Sequence, residues 1–125
     1  MSTKIMVVDD SFMVRQQVGR ALLGAGFEIV EAADGVDALE KLAASTGVAL
    51  IVCDVNMPRM SGIVFLENLR KDNAHANLPV VMLTTEGQPE LIQRAKSLGA
   101  KGWITKPFKP DQLLAVAKKL TALAA

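Results

Sequence analysis

One cysteine, Cys53, is the whole thiol complement of the chain. No intrachain disulfide can form, and a lone thiol fits a reducing compartment. Cys53 sits inside an apolar run and reads as a small core hydrophobe rather than a nucleophile. No apolar run approaches the ~20 residues of a membrane helix, and the N-terminus lacks the apolar core of a secretory signal. The expectation is a soluble, cytoplasmic protein with no membrane insertion. A surplus of charge is also missing. The 14 basic and 13 acidic side chains leave +1, which gives no global argument for direct nucleic-acid or anionic-membrane binding. Low-complexity tracts and internal repeats are absent. So is the phosphate-loop pattern G-x-x-x-x-G-K-[ST]. Gly24-Ala25-Gly26 precedes a predicted strand instead of following one, so it is no dinucleotide fingerprint.

What remains is a 125-residue chain, half hydrophobic and 22% charged, long enough for one domain with a real core. Its central stretch is Val48 to Gly62. An uninterrupted apolar run reads as a strand buried on both faces and ends in Asp54. Asn56 and Pro58 break the strand, and Ser61-Gly62 opens a helix. In open α/β sheets, ligands bind at this carboxyl end of the strands. Other apolar runs deliver chemistry to the same edge. Lys4 to Val8 ends in Asp9-Asp10, Val80 to Leu83 ends in Thr84, and Gly102 to Ile104 is followed shortly by Lys106.

Between these runs the helical pattern recurs. Ser11 is the expected N-cap of a first helix with Val14, Val18, Ala21, Leu22 and Ala25 on one stripe, stopped by Gly24 and Gly26. Phe27 to Ala32 is a second strand, Asp34-Gly35 a turn, and Val36, Leu39, Leu42 and Ala43 mark a second helix. A third runs from about Ser61 to Lys71 with Leu66 and Leu69 inward. Residues 72–77 form a polar loop in which His75 reads as exposed. Pro89 suits the first turn of a fourth helix carrying Leu91, Ile92, Ala95 and Leu98. A last helix buries Leu113, Val116, Ala117, Leu120 and Ala124. Strict strand–helix alternation implies right-handed crossovers onto a parallel sheet. The fold class is α/β, a doubly wound three-layer (βα)5 sandwich of flavodoxin-like type. Alternation does not fix the strand order; the order expected for such folds is 2-1-3-4-5, with the switch point between strands one and three. That order sets Asp9, Asp10 and Asp54 side by side.

Three neighbouring carboxylates raise one another's pKa, and a divalent cation removes the conflict. Mg²⁺ takes oxygen ligands, and no His or Cys adjoins these acids in sequence to favour zinc. Asp10 and Asp54 are natural direct ligands, with a backbone carbonyl just past Asp54 as a third. A carboxylate beside Mg²⁺ can attack a phosphoryl group and form an acyl phosphate. That chemistry needs positioning and neutralisation of the transferring oxygens, and Lys106 and the Thr84 hydroxyl can supply both. Asp54 is the acid centred among these groups and is the expected acceptor.

These residues resemble the receiver domain of bacterial two-component response regulators. The match spans essentially the whole chain: Asp9-Asp10, the run from Asp54 through Asn56-Met57-Pro58 and Met60 to Gly62, Thr84, and Lys106-Pro107-Phe108. The resemblance implies that Asp54 accepts a phosphoryl group from the phosphohistidine of a sensor histidine kinase or a phosphotransfer domain. It implies that Asp10, Asp54 and the Asn56 carbonyl hold Mg²⁺, with Asp9 acting through water. Lys106 then contacts the phosphate, Thr84 moves to it on activation, and the Lys106–Pro107 bond is cis. The second switch residue of the family falls on Trp103, where Tyr or Phe is more usual.

Within the family the pattern is similar to the single-domain chemotaxis regulators. The chain stops after the fifth helix, so one receiver domain over residues 1–125 with no output domain is expected. Asn56 lies two residues past Asp54 and Glu86 two past Thr84. That pairing is associated in the family with a short-lived phosphoryl group, both side chains flanking the path of an attacking water. Val55 departs from the family pattern, since chemotaxis regulators are known with tryptophan there. The implied role is a signalling protein, not an enzyme beyond assisting its own phosphorylation and dephosphorylation. Its signal leaves through the face of the fourth helix, fifth strand and fifth helix, where Lys101, Lys109, Lys118 and Lys119 offer charge to an acidic partner, with the flagellar motor switch as one target. Alternatives are a phosphorelay shuttle, a regulator of another enzyme, and a Mg²⁺-dependent phosphatase of the haloacid dehalogenase type. The last needs a second aspartate where Asn56 stands. Flavin binding would need a phosphate loop after the first strand, which is missing.

Overall fold

The computed structural model describes residues 3–85 and 89–122. Five strands, β1 (Lys4–Val8), β2 (Glu28–Ala32), β3 (Val48–Asp54), β4 (Val80–Thr84) and β5 (Gly102–Thr105), alternate with five helices. The helices are α1 (Phe12–Gly24), α2 (Gly35–Ala44), α3 (Gly62–Lys71), α4 (Pro89–Ser97) and α5 (Pro110–Ala122). The strands form one parallel sheet in the order β2-β1-β3-β4-β5. The alternation predicts this doubly wound architecture, and the order is the one expected for folds of this type.

Successive side chains of a strand point to opposite faces, and the core divides accordingly. Met6 and Val8, Ile51 and Cys53, and Val80 and Met82 join α2, α3 and α4 residues such as Leu42, Phe65, Leu66, Leu69 and Ala95. Ile5 and Val7, Leu50 and Val52, and Val81 and Leu83 face α1 and α5 through Val18, Leu22, Leu113 and Ala117. β3 is the central strand and is apolar on both sides, which is why its sequence runs without alternation.

Local chemistry sets the element ends. Ser11 and Ser61 cap α1 and α3 by accepting from the amides of Val14 and Val64, each at 3.3 Å. β2 begins at Glu28 instead of Phe27, because the Phe27 amide donates back to the Leu22 carbonyl (3.1 Å) and closes α1. Asp34 and Gly35 are not a free-standing turn. Asp34 is the N-cap of α2, its carboxylate accepting from the Asp37 amide at 2.8 Å, and Gly35 is the first helical residue. The buried face of α2 is therefore Gly35, Ala38 and Leu42, and Ala43 is exposed. His75 is partly buried and bonds Asp72 at 2.9 Å. Leu113 and Ala117 are the fully buried residues of α5, while Ala124 lies outside the described residues.

Candidate functional site: an acid pocket at the switch point

At the boundary between β1 and β3 the chain turns in opposite directions along the sheet. The carboxyl ends of the two strands bring Asp9, Asp10 and Asp54 together, one ligand oxygen from each lying within 4.8 Å of the others. Asp9 is fully buried, Asp54 nearly so, and Asp10 is exposed. The pocket is therefore a floor of two buried acids with a third at its rim.

The buried acids have few partners. Asp9 Oδ1 accepts from the Ser11 amide (2.9 Å), so the acid and the helix cap hold each other. Arg15 Nη1 donates to the Asp9 carbonyl (2.5 Å) while its Nε pairs with Glu31 (3.1 Å), tying α1 to β1 and β2. Asp54 Oδ1 accepts from the Val55 amide at 2.8 Å. The cation is Lys106, whose Nζ lies 2.8 Å from Asp9 Oδ2 and 3.4 Å from Asp54 Oδ1.

β4 and β5 place that lysine. The Lys106 amide donates to the Thr84 carbonyl (2.6 Å), continuing the register Leu83–Ile104 and Thr84–Thr105 past the strand end. The Lys106–Pro107 bond is cis. Thr84 is buried at the end of β4.

Burial and the nearby Asp9 push the Asp54 carboxyl up from its ordinary value, against the pull of Lys106. Burial disfavours the charge on Lys106, but the hydrogen bond to Asp9 and the attraction of both acids outweigh it and raise its pKa. Burial, then Asp54 and Asp9, push the Cys53 thiol well up, so it is no nucleophile at neutral pH. The donor set fits a hard divalent cation: three carboxylates, two of them buried with a single ammonium between them, and no thiolate or imidazole among the clustered groups.

Of the other sequence-predicted residues, Asn56 is exposed in the β3–α3 connection, two residues past Asp54. Trp103 is half-buried on β5 and packs against the core beneath α3 and α4. Its Nε1 is buried with no hydrogen-bond partner among the described residues. Glu86 lies outside the described residues. Lys101, Lys109, Lys118 and Lys119 are exposed.

Two contacts at the site escape sequence reasoning, although Gly62 itself belongs to the motif read there. Gly62 packs on the backbone of the expected acceptor: a Cβ there would stand 2.1 Å from the Asp54 carbonyl oxygen. Its own amide donates to the Val55 carbonyl at 2.8 Å, closing the base of the β3–α3 connection. Arg59, in that connection, pairs with Asp34, the N-cap of α2. Its partner stands 25 residues away in sequence, where no local signal points. A cleft of about 700 Å³ opens beside Lys106, walled by Val14, Gln17 and Ala21 of α1 and by Pro107, Phe108 and Pro110.

A parallel (βα)5 domain with acids at the switch point and a lysine after its last strand is the architecture of a signal receiver. The chain belongs to the response regulator receiver domain family, whose model it matches over residues 5–118. It is a signalling domain. It is 41% identical over 113 residues to the chemotaxis protein CheY of Treponema pallidum, covering 89% of this chain and 77% of that protein. To the chemotaxis protein CheY1 of Helicobacter pylori it is 38% identical over 111 residues, covering 88% and 90%. The structure of Vibrio cholerae chemotaxis protein CheY4 superposes with a TM-score of 0.90 at 41% identity, covering 96% of this chain and 99% of that one. Among the described residues no helix is long and apolar enough to cross a membrane.

Proposed function

We propose that the domain is the phosphoryl-accepting switch of a two-component pathway, with Asp54 as acceptor and chemotaxis as its setting. The observation that carries this reading is the position of Lys106, between two buried carboxylates and beside the exposed mouth of the pocket. An Asp54 carboxylate oxygen attacks the phosphorus of a phosphohistidine. The P–N bond breaks, its electron pair stays on the imidazole, and an acyl phosphate forms on Asp54. Lys106 turns to the incoming phosphoryl oxygens, and the Thr84 hydroxyl donates to another. Asp10, Asp54 and the Asn56 carbonyl would hold Mg²⁺, Asp9 acting through water. When bound, the ion would supply neutralisation of phosphoryl charge beyond what the single lysine provides.

The donor is a sensor kinase or phosphotransfer domain. Its histidine reaches Asp54 from the side of α1, where Phe12 and Met13 are 63% and 69% exposed. Asn56 and Glu86 tune the water attack that removes the phosphoryl group. The added charge of about −1.5 to −2 shifts a pre-existing equilibrium in which Thr84 and Trp103 move together. The altered α4–β5–α5 face then meets a protein target in the cytoplasm. The flagellar motor switch is one target that would fit a chemotaxis setting.

Intact-mass spectrometry after brief incubation with acetyl phosphate tests the core of this reading. One phosphoryl adduct that needs Mg²⁺, is absent from Asp54→Asn and decays on standing is the expected result. No adduct, under conditions that label an established receiver, overturns it.

A further inference from the structure

Asp34 and Arg59 lie outside the acid pocket but grip the connection that leaves it. That connection, residues 55–61, starts at Asp54 and carries Asn56. Arg59 Nε donates to Asp34 Oδ2 at 2.7 Å and Nη2 to Oδ1 at 3.1 Å, a two-pronged pair. The Asp34 carboxylate is 7% exposed and the Arg59 side chain 58%. The acid is thus fixed in the protein, and the arginine reaches in from the loop. Asp34 is doubly used, since the same carboxylate caps α2 through the Asp37 amide.

The neighbouring residues repeat the attachment. The Gly35 amide donates to the Met60 carbonyl at 3.3 Å. The Met60 side chain lies so close to Gly35 that a Cβ would fall 2.7 Å from Met60 Cγ. Arg59 has φ +62°, the left-handed region, and is the only non-glycine residue with positive φ among the described residues. A side chain makes that conformation unfavourable unless the surroundings hold it. Here the surroundings are a buried carboxylate and the start of a helix.

We infer that Asp34 and Arg59 are positioning residues for the acid pocket: by pinning residues 59–60 to α2 they fix where the Asn56 carbonyl stands, and so set divalent-cation affinity and phosphoryl lifetime at Asp54. The lifetime half rests on the proposed function; the cation half needs no phosphoryl transfer. The pair is a poor candidate for a purely stabilising role. Its arginine is largely exposed, a setting in which ion pairs contribute little, and it holds a strained residue that a glycine would relieve.

The test uses the full chain and three substitutions. Asp34→Asn keeps an oxygen for the α2 cap and removes the charge. Arg59→Gly removes the guanidinium and the left-handed strain together. Arg59→Lys keeps the charge but not the fork. Mg²⁺ affinity is read by titration calorimetry, phosphoryl lifetime by intact mass after acetyl phosphate, and folding by thermal melts. The expected result is Mg²⁺ binding weakened about three- to tenfold in Asp34→Asn and Arg59→Gly, with Arg59→Lys between. The double variant Asp34→Asn/Arg59→Gly is no weaker than either single. Arg59→Gly melts within about 4 °C of the parent. Mg²⁺ affinity within twofold of the parent in Arg59→Gly overturns the inference, as does a parent that binds no Mg²⁺. A parent that binds Mg²⁺ more tightly than the variants but takes no phosphoryl group upholds the positioning role and overturns the proposed function instead.

Discussion

Lys106 stands closer to Asp9 than to Asp54, 2.8 Å against 3.4 Å. The acid expected to react is thus the one the lysine neutralises less, which agrees with its raised pKa. A phosphoryl group on Asp54 would compete with Asp9 for the same ammonium.

Lys106→Met keeps the bulk and removes the charge, leaving two buried carboxylates face to face. A loss of about 2 kcal/mol is expected at pH 7 without Mg²⁺. Asp9→Asn added to Lys106→Met should restore more than half of it. Thermal melts of the two singles and the double decide this; strictly additive losses would show that the three groups are not coupled.

Asp54 gives a pH signature with a definite sign. Its folded-state pKa is raised from 3.8, so the folded protein holds this proton more tightly than the unfolded chain does. Stability therefore falls as pH climbs from the unfolded value through the folded one, and the penalty is full above it. Asp54→Asn keeps an oxygen for the Val55 amide and removes the penalty. Without Mg²⁺ the variant should melt higher than the parent at pH 7. The gain should vanish near pH 3.5. A variant that melts lower than the parent at pH 7 would contradict the burial argument.

Added Mg²⁺ should reverse that ranking. An ion that binds only the folded protein stabilises it by about 2.7 kcal/mol at one hundred times its dissociation constant. The parent should gain in melting temperature, and chelation should abolish the gain. Asp10→Asn and Asp54→Asn should respond weakly. Equal shifts in all three proteins would place the ion elsewhere.

Two glycines should respond oppositely to alanine. At Gly62 the new Cβ meets a backbone carbonyl at 2.1 Å, and neither the strand nor the helix can yield. Gly62→Ala should lose at least ~3 kcal/mol. At Gly19, inside α1, the nearest atom to a Cβ is Ile29 Cγ2 at 3.9 Å, an ordinary contact. Gly19→Ala should gain roughly 0.5–1 kcal/mol. Denaturant melts of the pair check the packing around the acceptor strand.

Trp103 is the only tryptophan, and its buried N–H lacks a partner among the described residues. Saturating Asp54 with a phosphate mimic should change its emission. Unchanged emission together with unchanged partner affinity would remove Trp103 from the switch.

The sheet was legible because its strands are short apolar runs with polar stops, and β3 most of all. The pocket was legible because four of the five runs lead into a group with obvious chemistry. Sequence distance hid the rest. Arg70 donates to the carbonyls of His75, Ala76 and Leu78 and, nearly thirty residues on, to Leu98 and Gly99. Carbonyls belong to every residue type, so no pattern marks such partners. Arg59 and Asp34 were hidden in the same way. Asp34-Gly35 misled for a local reason, since an Asx–Gly step suits a tight turn as well as a helix cap. Ala43 fits the helical period, but α2 begins at Gly35 and turns its Ala38 face inward instead.

Cys53 makes the domain its own unfolding sensor. The thiol is sealed in the central strand, with a raised pKa, beside the carboxylate that defines the site. An alkylating or oxidising reagent cannot reach it until the helices that cover this face of the sheet lift away. The rate at which a thiol reagent consumes this one group then reports how often the middle of the molecule opens. A ligand that tightens the pocket slows that clock, whatever its own optical properties.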